Sequence, residues 1–274
     1  MDLKTPWKKT TLVSMDLETT GKYPLQADIC EMAAVSWSEG EIQEEYQTLI
    51  KPVDDMRPEV IAIHNITEEM VATAPPIAEK VSEFHQFISQ GVCVAHHAPF
   101  DMGFLSYEFE KAKLPLPKLP GLCTSLLSRA LITDTKNHRL STLAEHFQIE
   151  VGQAHRALDD SKTCLQVLLK ILETHLPDAT LEEVYEAQLE ALPWSSFSVD
   201  KVRFTSDWAN LVEAIEQNRA LQMTYLGGSR PGQEREVFPV GLVLRPSDAF
   251  VVAKEPGRLQ PKRYMLQKIQ SCHF

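Results

Sequence analysis

The chain has 274 residues, 43% of them apolar, and a formal charge of −11 at neutral pH. That length fits one large domain or a main domain with a small companion, and the acidity excludes a uniformly basic coat without excluding a local cation patch. No run approaches ~18 consecutive apolar residues, and the opening MDLKTPWKKTT lacks the apolar core of a secretion signal, so a cytoplasmic protein with no membrane partner is expected.

In chain order, residues 11–17 (TLVSMDL), 29–37 (ICEMAAVSW) and 42–50 (IQEEYQTLI) read as strands joined by short turns and predict an antiparallel meander. A stripe of Ile77, Val81, Phe84 and Ile88 predicts a helix over residues 76–89. GVCVAHH reads as a short buried strand, with FDMGFLSYEFEKAKL a helix directly after it. The proline-rich LPLPKLPGLC is read as a loop. Helices follow near 125–131 and 141–147, then a long one over 156–175. Strands that give way to strand-helix alternation predict an α/β mixed sheet with helices on its faces over residues 1–176.

Beyond it, LEEVYEAQLEAL looks helical and PWSSFSVDKVRF extended, so 177–204 is read as a linker with a helix. From residue 205 one helix (SDWANLVEAIEQNRA) precedes the β-like runs ALQMTYL, EVFPVGLVL, AFVVAK and KRYMLQKI, split by Gly and Pro turns. A small mainly-β domain over 205–274 is expected. This last part carries nine Lys or Arg against seven Asp or Glu, so the acid excess is concentrated before it. The five cysteines are widely and irregularly spaced with no C-x-x-C pair, which points to neither zinc nor redox work.

The first strand holds an unusual pair. Side chains at i and i+2 of a strand share a face, so Asp16 and Glu18 lie together while Met15 and Leu17 take the other side. Two desolvated like charges are costly, and a divalent cation removes the cost. An exposed strand end capping the turn Thr19-Thr20-Gly21 is the plainer explanation of the pair alone. Asp101, in HHAPFD, opens a helix and could equally be its N-cap. In AHRALDDSKTCLQVLLKIL, 100° per residue aligns Asp160 with Cys164, Val167 and Ile171 on the apolar stripe, and Asp159 with the polar one. His155 lies about 140° from Asp160 on an unbroken helix. It is therefore expected on the loop ahead of the helix, near the site and free to swing, with the role of general base set against that of an ordinary exposed histidine. Four carboxylates of hard oxygen from three segments suit two Mg²⁺ or Mn²⁺ ions, which clamp the attacking and leaving oxygens of a phosphoryl displacement.

These motifs, MDLETTG, HHAPFD and HRALDD in that order, resemble the DEDDh 3'-5' exonucleases of the DNA polymerase III proofreading-subunit type, with an RNase H-like fold, over about residues 8–175. The resemblance implies a metal-dependent exonuclease that releases nucleoside 5'-monophosphates. Asp16, Glu18, Asp101 and Asp160 would hold the metals, and His155 would take a proton from the attacking water. Thr19 and Thr20 would lie against the terminal nucleotide, His64 of HNIT near its sugar and base, and His97 and Phe100 at the pocket border. Asn65 stands where the family usually has Gly, and Cys123 where the proofreading type usually has Asp, which bears on substrate preference. The loop His, in place of the Tyr of short-RNA degrading members, implies nucleic acid 3' ends with DNA favoured over RNA, and a polymerase or repair partner.

The tail resembles a WYL domain, a small Sm-like barrel behind a helix, through EQNRALQMTY, REVFPVGLVL, AFVVAK and KRYMLQKI. Ala249-Phe250-Val251 replaces its signature tripeptide and Lys268 a usual Arg. The resemblance makes Tyr225, Arg235, Arg263 and Lys268 ligand candidates, against a core tyrosine and a solvated cation face; Arg258 and Lys262 add to the basic cluster near the end. The rival readings are an exoribonuclease and a non-catalytic nucleic-acid or ligand-binding regulator on the same fold.

Overall fold

A computed structural model describes residues 2–153, 155–204 and 208–274. The three expected strands form β1 (Leu12–Thr19), β2 (Ile29–Ser38) and β3 (Glu41–Leu49). The helices α1 (Pro58–His64), α2 (Glu68–Val71) and α3 (Ile77–Ile88) lead into β4 (Val92–Ala95) and α4 (Pro99–Lys111). Next come β5 (Leu122–Cys123), α5 (Thr124–Leu131), α6 (Leu140–His146) and α7 (Ala157–His175). The sheet order is β3-β2-β1-β4-β5, antiparallel on the meander side and parallel where β4 joins β1 and β5 joins β4. The end of the proline-rich segment, read as loop throughout, thus supplies a short parallel edge.

The alternation of β1 decides what each face of the sheet carries. Val13, Met15 and Leu17 join the core built with α3 and α4, through Phe84, Ile88, Met102, Leu105 and Phe109. Leu12 faces the other way, into the core that Cys164, Val167, Leu168 and Ile171 of α7 build with Val35, Val92 and Val94. Asp16 and Glu18 continue that second face past the end of its apolar stretch. A helix dipole-bearing N-terminus, that of α7, arrives at the same place.

The segment read as an extended connector is instead wound: a 3₁₀ turn at Trp194–Ser196 and a helix α9 (Val199–Arg203) follow α8 (Leu181–Ala187). The reason is burial. Trp194 and Phe197 are core residues of the α3–α4 side of the sheet, which a helical turn brings to one face and an extended strand would separate. Ser198 caps α9 by accepting the N–H of Lys201, and Glu110 of α4 accepts the N–H groups of Val199 and Asp200.

The tail contains α10 (Ala209–Glu216), β6 (Leu221–Tyr225), β7 (Glu234–Val243), β8 (Phe250–Lys254), β9 (Lys262–Met265) and β10 (Ile269–His273). They form an antiparallel sheet of order β10-β6-β7-β8-β9 around a core that α10 closes with Leu211, Val212 and Ile215. The start expected for its helix, at Ser206 and Asp207, lies outside the described residues. No helix among the described residues is long and apolar enough to cross a membrane.

Candidate active site

Asp16 and Glu18 project from the last residues of β1, where a bulge between Glu18 and Thr19 shifts the register with β2. Asp101 reaches the same strand end from α4: its Oδ1 accepts the N–H of Leu17 at 3.2 Å. Asp160 lies in the first turn of α7, and its Oδ2 accepts the backbone N–H of His155 at 2.9 Å. Oxygens of Glu18 and Asp160 and a ring nitrogen of His155 lie within 4.8 Å of one another. The loop residue expected to swing is therefore tethered through its backbone. Its φ of 60° is a left-handed conformation, as is that of His97 at 61°.

Electrostatics separate this cluster from a row of capping acids. Burial first, and then Asp101, Glu18, Asp160 and Glu31, push the Asp16 carboxyl well above the usual range. Burial, Asp160, Glu31 and Asp101 raise Glu18 to about 8. Burial raises Asp101 to about 8 against the N–H groups that hold it, and raises Asp160 against the His155 N–H. Among the described residues no donor hydrogen-bonds the carboxyls of Asp16 or Glu18. Hard, unpaired oxygens that destabilise one another as anions fit a divalent cation, since its charge reverses each of these repulsions.

Glu31, which sequence reasoning passed over, supports the cluster. It pairs in register with Glu18 across β1 and β2 and is 0% exposed. Arg156 grips it through Nη2 to Oε1 at 2.7 Å and Nε to Oε2 at 3.2 Å, the Ala157 N–H donates to Oε2, and Gln47 Nε2 donates to Oε1. Burial would raise its pKa, but these donors outweigh burial and hold it below the usual range. Glu31 thereby ties the N-terminus of α7, which carries Asp160 and follows directly on His155, to the sheet. The available signal was an acid inside the apolar run ICEMAAVSW, which needs a partner somewhere. Glu31→Ala strands Arg156 and the Ala157 N–H, so a loss of about 3 kcal/mol or more is expected in denaturant unfolding, with Glu31→Gln less damaging.

The flanking residues divide. The Thr19 hydroxyl donates to Gly21 O at 2.7 Å and the Thr20 hydroxyl accepts the Asp28 N–H at 2.9 Å, so both side chains hold the turn. His64 is 1% exposed, its Nδ1 accepting the Ile66 N–H at 3.0 Å, with Glu31, His155 and Arg156 within electrostatic reach. Asn65, in place of glycine, caps α1 at φ 59°, a conformation its short polar side chain tolerates. His97 and Phe100 are exposed at the start of α4, the Phe100 ring centred 5.0 Å from that of Phe104. Cys123 is buried, and its N–H donates to Oε1 of Gln188, just past α8, at 2.6 Å.

In the tail, Tyr225 is a core residue set edge-on to Tyr264 at 5.0 Å, its hydroxyl accepting the Met265 N–H. Arg235 lies 6.0 Å from the Tyr225 ring and donates to the Arg230 and Gln233 carbonyls. Arg263 covers Phe250 at 5.1 Å, and Lys268 is exposed. Much of the basic cluster is spoken for. Glu255 pairs with Tyr264, Lys262, Arg230 and Arg258, and the Tyr264 hydroxyl above all, with Lys262 and Arg230, holds its carboxyl at about 2.

Comparison with known proteins bears on this arrangement. The exonuclease family profile matches residues 13–168 and that of the WYL domain residues 207–274. The PolC-type DNA polymerase III of Bacillus subtilis is 36% identical over 167 residues, 61% of this chain and 12% of that protein. That of Oceanobacillus iheyensis is 36% identical over 163 residues, 60% of this chain and 11% of that protein. The chain thus spans about a tenth of the length of these curated relatives. A structure of exonuclease X in complex with 5' overhanging duplex DNA shares 28% identity and a TM-score of 0.51, covering 65% of this chain and 99% of that one. Escherichia coli exonuclease I in complex with a dA16 oligonucleotide, at 18% identity and TM-score 0.53, shares the fold over 89% of this chain and 55% of its own. With the matched profile running through β1, α4 and α7, the chain belongs to the exonuclease family and carries a WYL domain after it.

Proposed function

We propose that this protein is a metal-dependent 3'-5' exonuclease acting on single-stranded or frayed 3' ends, with DNA favoured over RNA. The observation that carries the reading is the set Asp16, Glu18, Asp101 and Asp160, drawn from β1, α4 and α7, whose carboxyls repel one another at one strand end. Residues 1–176 form the catalytic unit in this reading, 177–204 the linker with its helix, and 205–274 the accessory unit. The preference for DNA is supported by the DNA named for exonuclease X and exonuclease I and by the likeness to PolC-type polymerases, which also suggests a polymerase partner and a cytoplasmic setting.

The four acids would hold two ions, Mg²⁺ or Mn²⁺. When bound, such ions supply the positive charge that offsets the charge developing on the phosphate and on the departing oxygen. His155, beside Glu18 and Asp160, accepts the proton of the water that attacks the terminal phosphorus. The bond from that phosphorus to the 3' oxygen of the preceding nucleotide breaks, that oxygen takes up a proton, and a nucleoside 5'-monophosphate leaves. Asp160 fixes the position of the base through the His155 N–H. Thr19 and Thr20 line the strand end under the terminal nucleotide, His64 backs the wall behind it, and His97 and Phe100 border it.

The test is a 5'-labelled 20-mer of DNA and one of RNA, each with Mg²⁺, Mn²⁺ or chelator. A ladder shortening from the 3' end, absent in chelator and longer-lived for RNA, is expected. No shortening with either metal would overturn the reading and leave a binding protein on the same fold.

A further inference from the structure

The tail does not hang free of the exonuclease unit. Gly241 of β7 lies under the Tyr23 ring so closely that a Cβ there would sit 2.3 Å from it. Gln26 Nε2 donates to Ile215 O of α10 at 2.7 Å, and Leu25 and Tyr107 pack onto the tail core. The Tyr107 hydroxyl donates to Glu216 Oε1 of α10 at 3.4 Å, and Arg203 of the linker grips the same carboxylate through paired hydrogen bonds of 2.7 and 2.8 Å. Such a joint, made of apolar packing and a bidentate ion pair, holds the two units in one geometry.

Between them run two adjoining hollows, of about 270 and 300 Å³, that share Phe100 and Arg245. Lys22 and Arg263 line the first, and His97 and Arg129 the second. Lys22 and Arg129 come from the exonuclease unit, Arg245 and Arg263 from the tail. All four are exposed, and among the described residues none of them forms an ion pair. One acid, Glu190, lies in the lining of the second hollow, and none in that of the first. In a chain of net charge −11, four unpaired cations converging on one groove are a local reversal of sign. Partial enclosure of its ring first, and then Arg129 and Arg245, hold His97 below the usual imidazole range. Phe100, 39% exposed, stands where the two hollows meet, one residue before Asp101 in the chain.

We propose that this groove is a track for single-stranded polynucleotide, in which Lys22, Arg129, Arg245 and Arg263 hold the backbone phosphates behind the 3' end and Phe100 stacks a base at the mouth of the acidic site. The proposal rests on the exonuclease reading for its direction, the 3' end leading, and assigns the tail a share in substrate binding. Charge complementarity selects a polyanion, and the exposed aromatic ring selects one with bases free to stack. The acidic cluster gains from the arrangement as well, because the cations bring a polyanion past a region that would repel it.

The test uses the full chain carrying Arg245→Glu, Arg129→Glu or both, with Lys170→Glu, ten residues beyond Asp160 on α7, matching the charge change elsewhere. Kinetics compare a DNA 20-mer with a dinucleotide, and fluorescence anisotropy measures 20-mer binding in chelator. Each groove substitution should raise KM for the 20-mer about tenfold while kcat stays near that of the parent protein, so the preference for the longer substrate narrows. The slope of log affinity against log salt should fall by about 0.7 for each phosphate that a substitution leaves without its cation. Unchanged KM and salt slope in the groove variants would overturn the proposal, as would an equal weakening in Lys170→Glu. If the parent protein releases no nucleotide, the exonuclease reading fails by itself and the anisotropy decides the track: binding abolished in the groove variants upholds it, and binding retained, or absent from the parent protein, overturns it.

Discussion

Asp16→Asn is expected to lower turnover by about 10²- to 10³-fold, the scale of losing one preorganised electrostatic contributor, and yet to make the metal-free protein more stable at alkaline pH. The amide keeps the shape of the side chain and removes the carboxyl that burial, Asp101, Glu18, Asp160 and Glu31 together push up. The sign of the pH effect follows from protons. Because the folded carboxyls have raised pKa values, with Glu18 and Asp101 at about 8, the folded chain without metal holds protons that the unfolded chain releases near pH 4. Stability from these groups is therefore complete below about pH 4 and is lost as pH rises toward 8. In chelator, the unfolding midpoint of Asp16→Asn should exceed that of the parent protein by a few degrees at about pH 8, at roughly 2–4 °C per kcal/mol for chains of this size, and the gap should close near pH 4. Adding Mg²⁺ or Mn²⁺ should invert the order, because a ligand that binds the folded state alone stabilises it by mass action and the variant binds less well. Thermal scans over this pH range with and without metal read all of these effects. A variant that keeps its turnover, or that melts below the parent protein in chelator at pH 8, would remove the metal from the account.

How much of this could be read beforehand depended on whether the information was local. Asp16 and Glu18 on one face, and His155 ahead of α7, follow from the periods of strand and helix and needed nothing else. Glu31 was not legible as a support because its partner Arg156 is 125 positions away, and a lone acid in an apolar run names no partner. The segment 193–204 misled for a related reason. Its scattered aromatics fit a strand locally, and only the core that receives Trp194 and Phe197 decides for turns. In the tail, β-like runs were plain, but the pairing of β10 with β6 joins the last strand of the chain to the first strand of the tail and is a long-range event. The same holds for the basic cluster, whose fate is set by Glu255, and for Tyr225, whose enclosure depends on the arrival of Tyr264.

His155→Asn is expected to lower kcat by about 10²- to 10⁴-fold, the range for loss of a positioned general base. Asparagine is the suitable substitution because residue 155 has φ 60°, a region that Asn tolerates and that most other side chains resist. The backbone N–H still reaches Asp160, so the first turn of α7 keeps its tether and the fall in rate reports the ring alone. His155→Ala lacks that tolerance and should lose some local order as well. The proximity of the ring to Glu18 and Asp160, all within 4.8 Å, also allows a different role, direct ligation of the cation. The two roles part in a Mn²⁺ titration of the variant. A base leaves the metal midpoint of activity and the KM for DNA where they were while kcat falls. A ligand moves the midpoint to higher metal, and excess metal then restores the rate. Neutral imidazole is a poorer partner than carboxylate for hard cations, and the acids around it already supply oxygen, so the expected outcome is a depressed kcat that no amount of metal recovers.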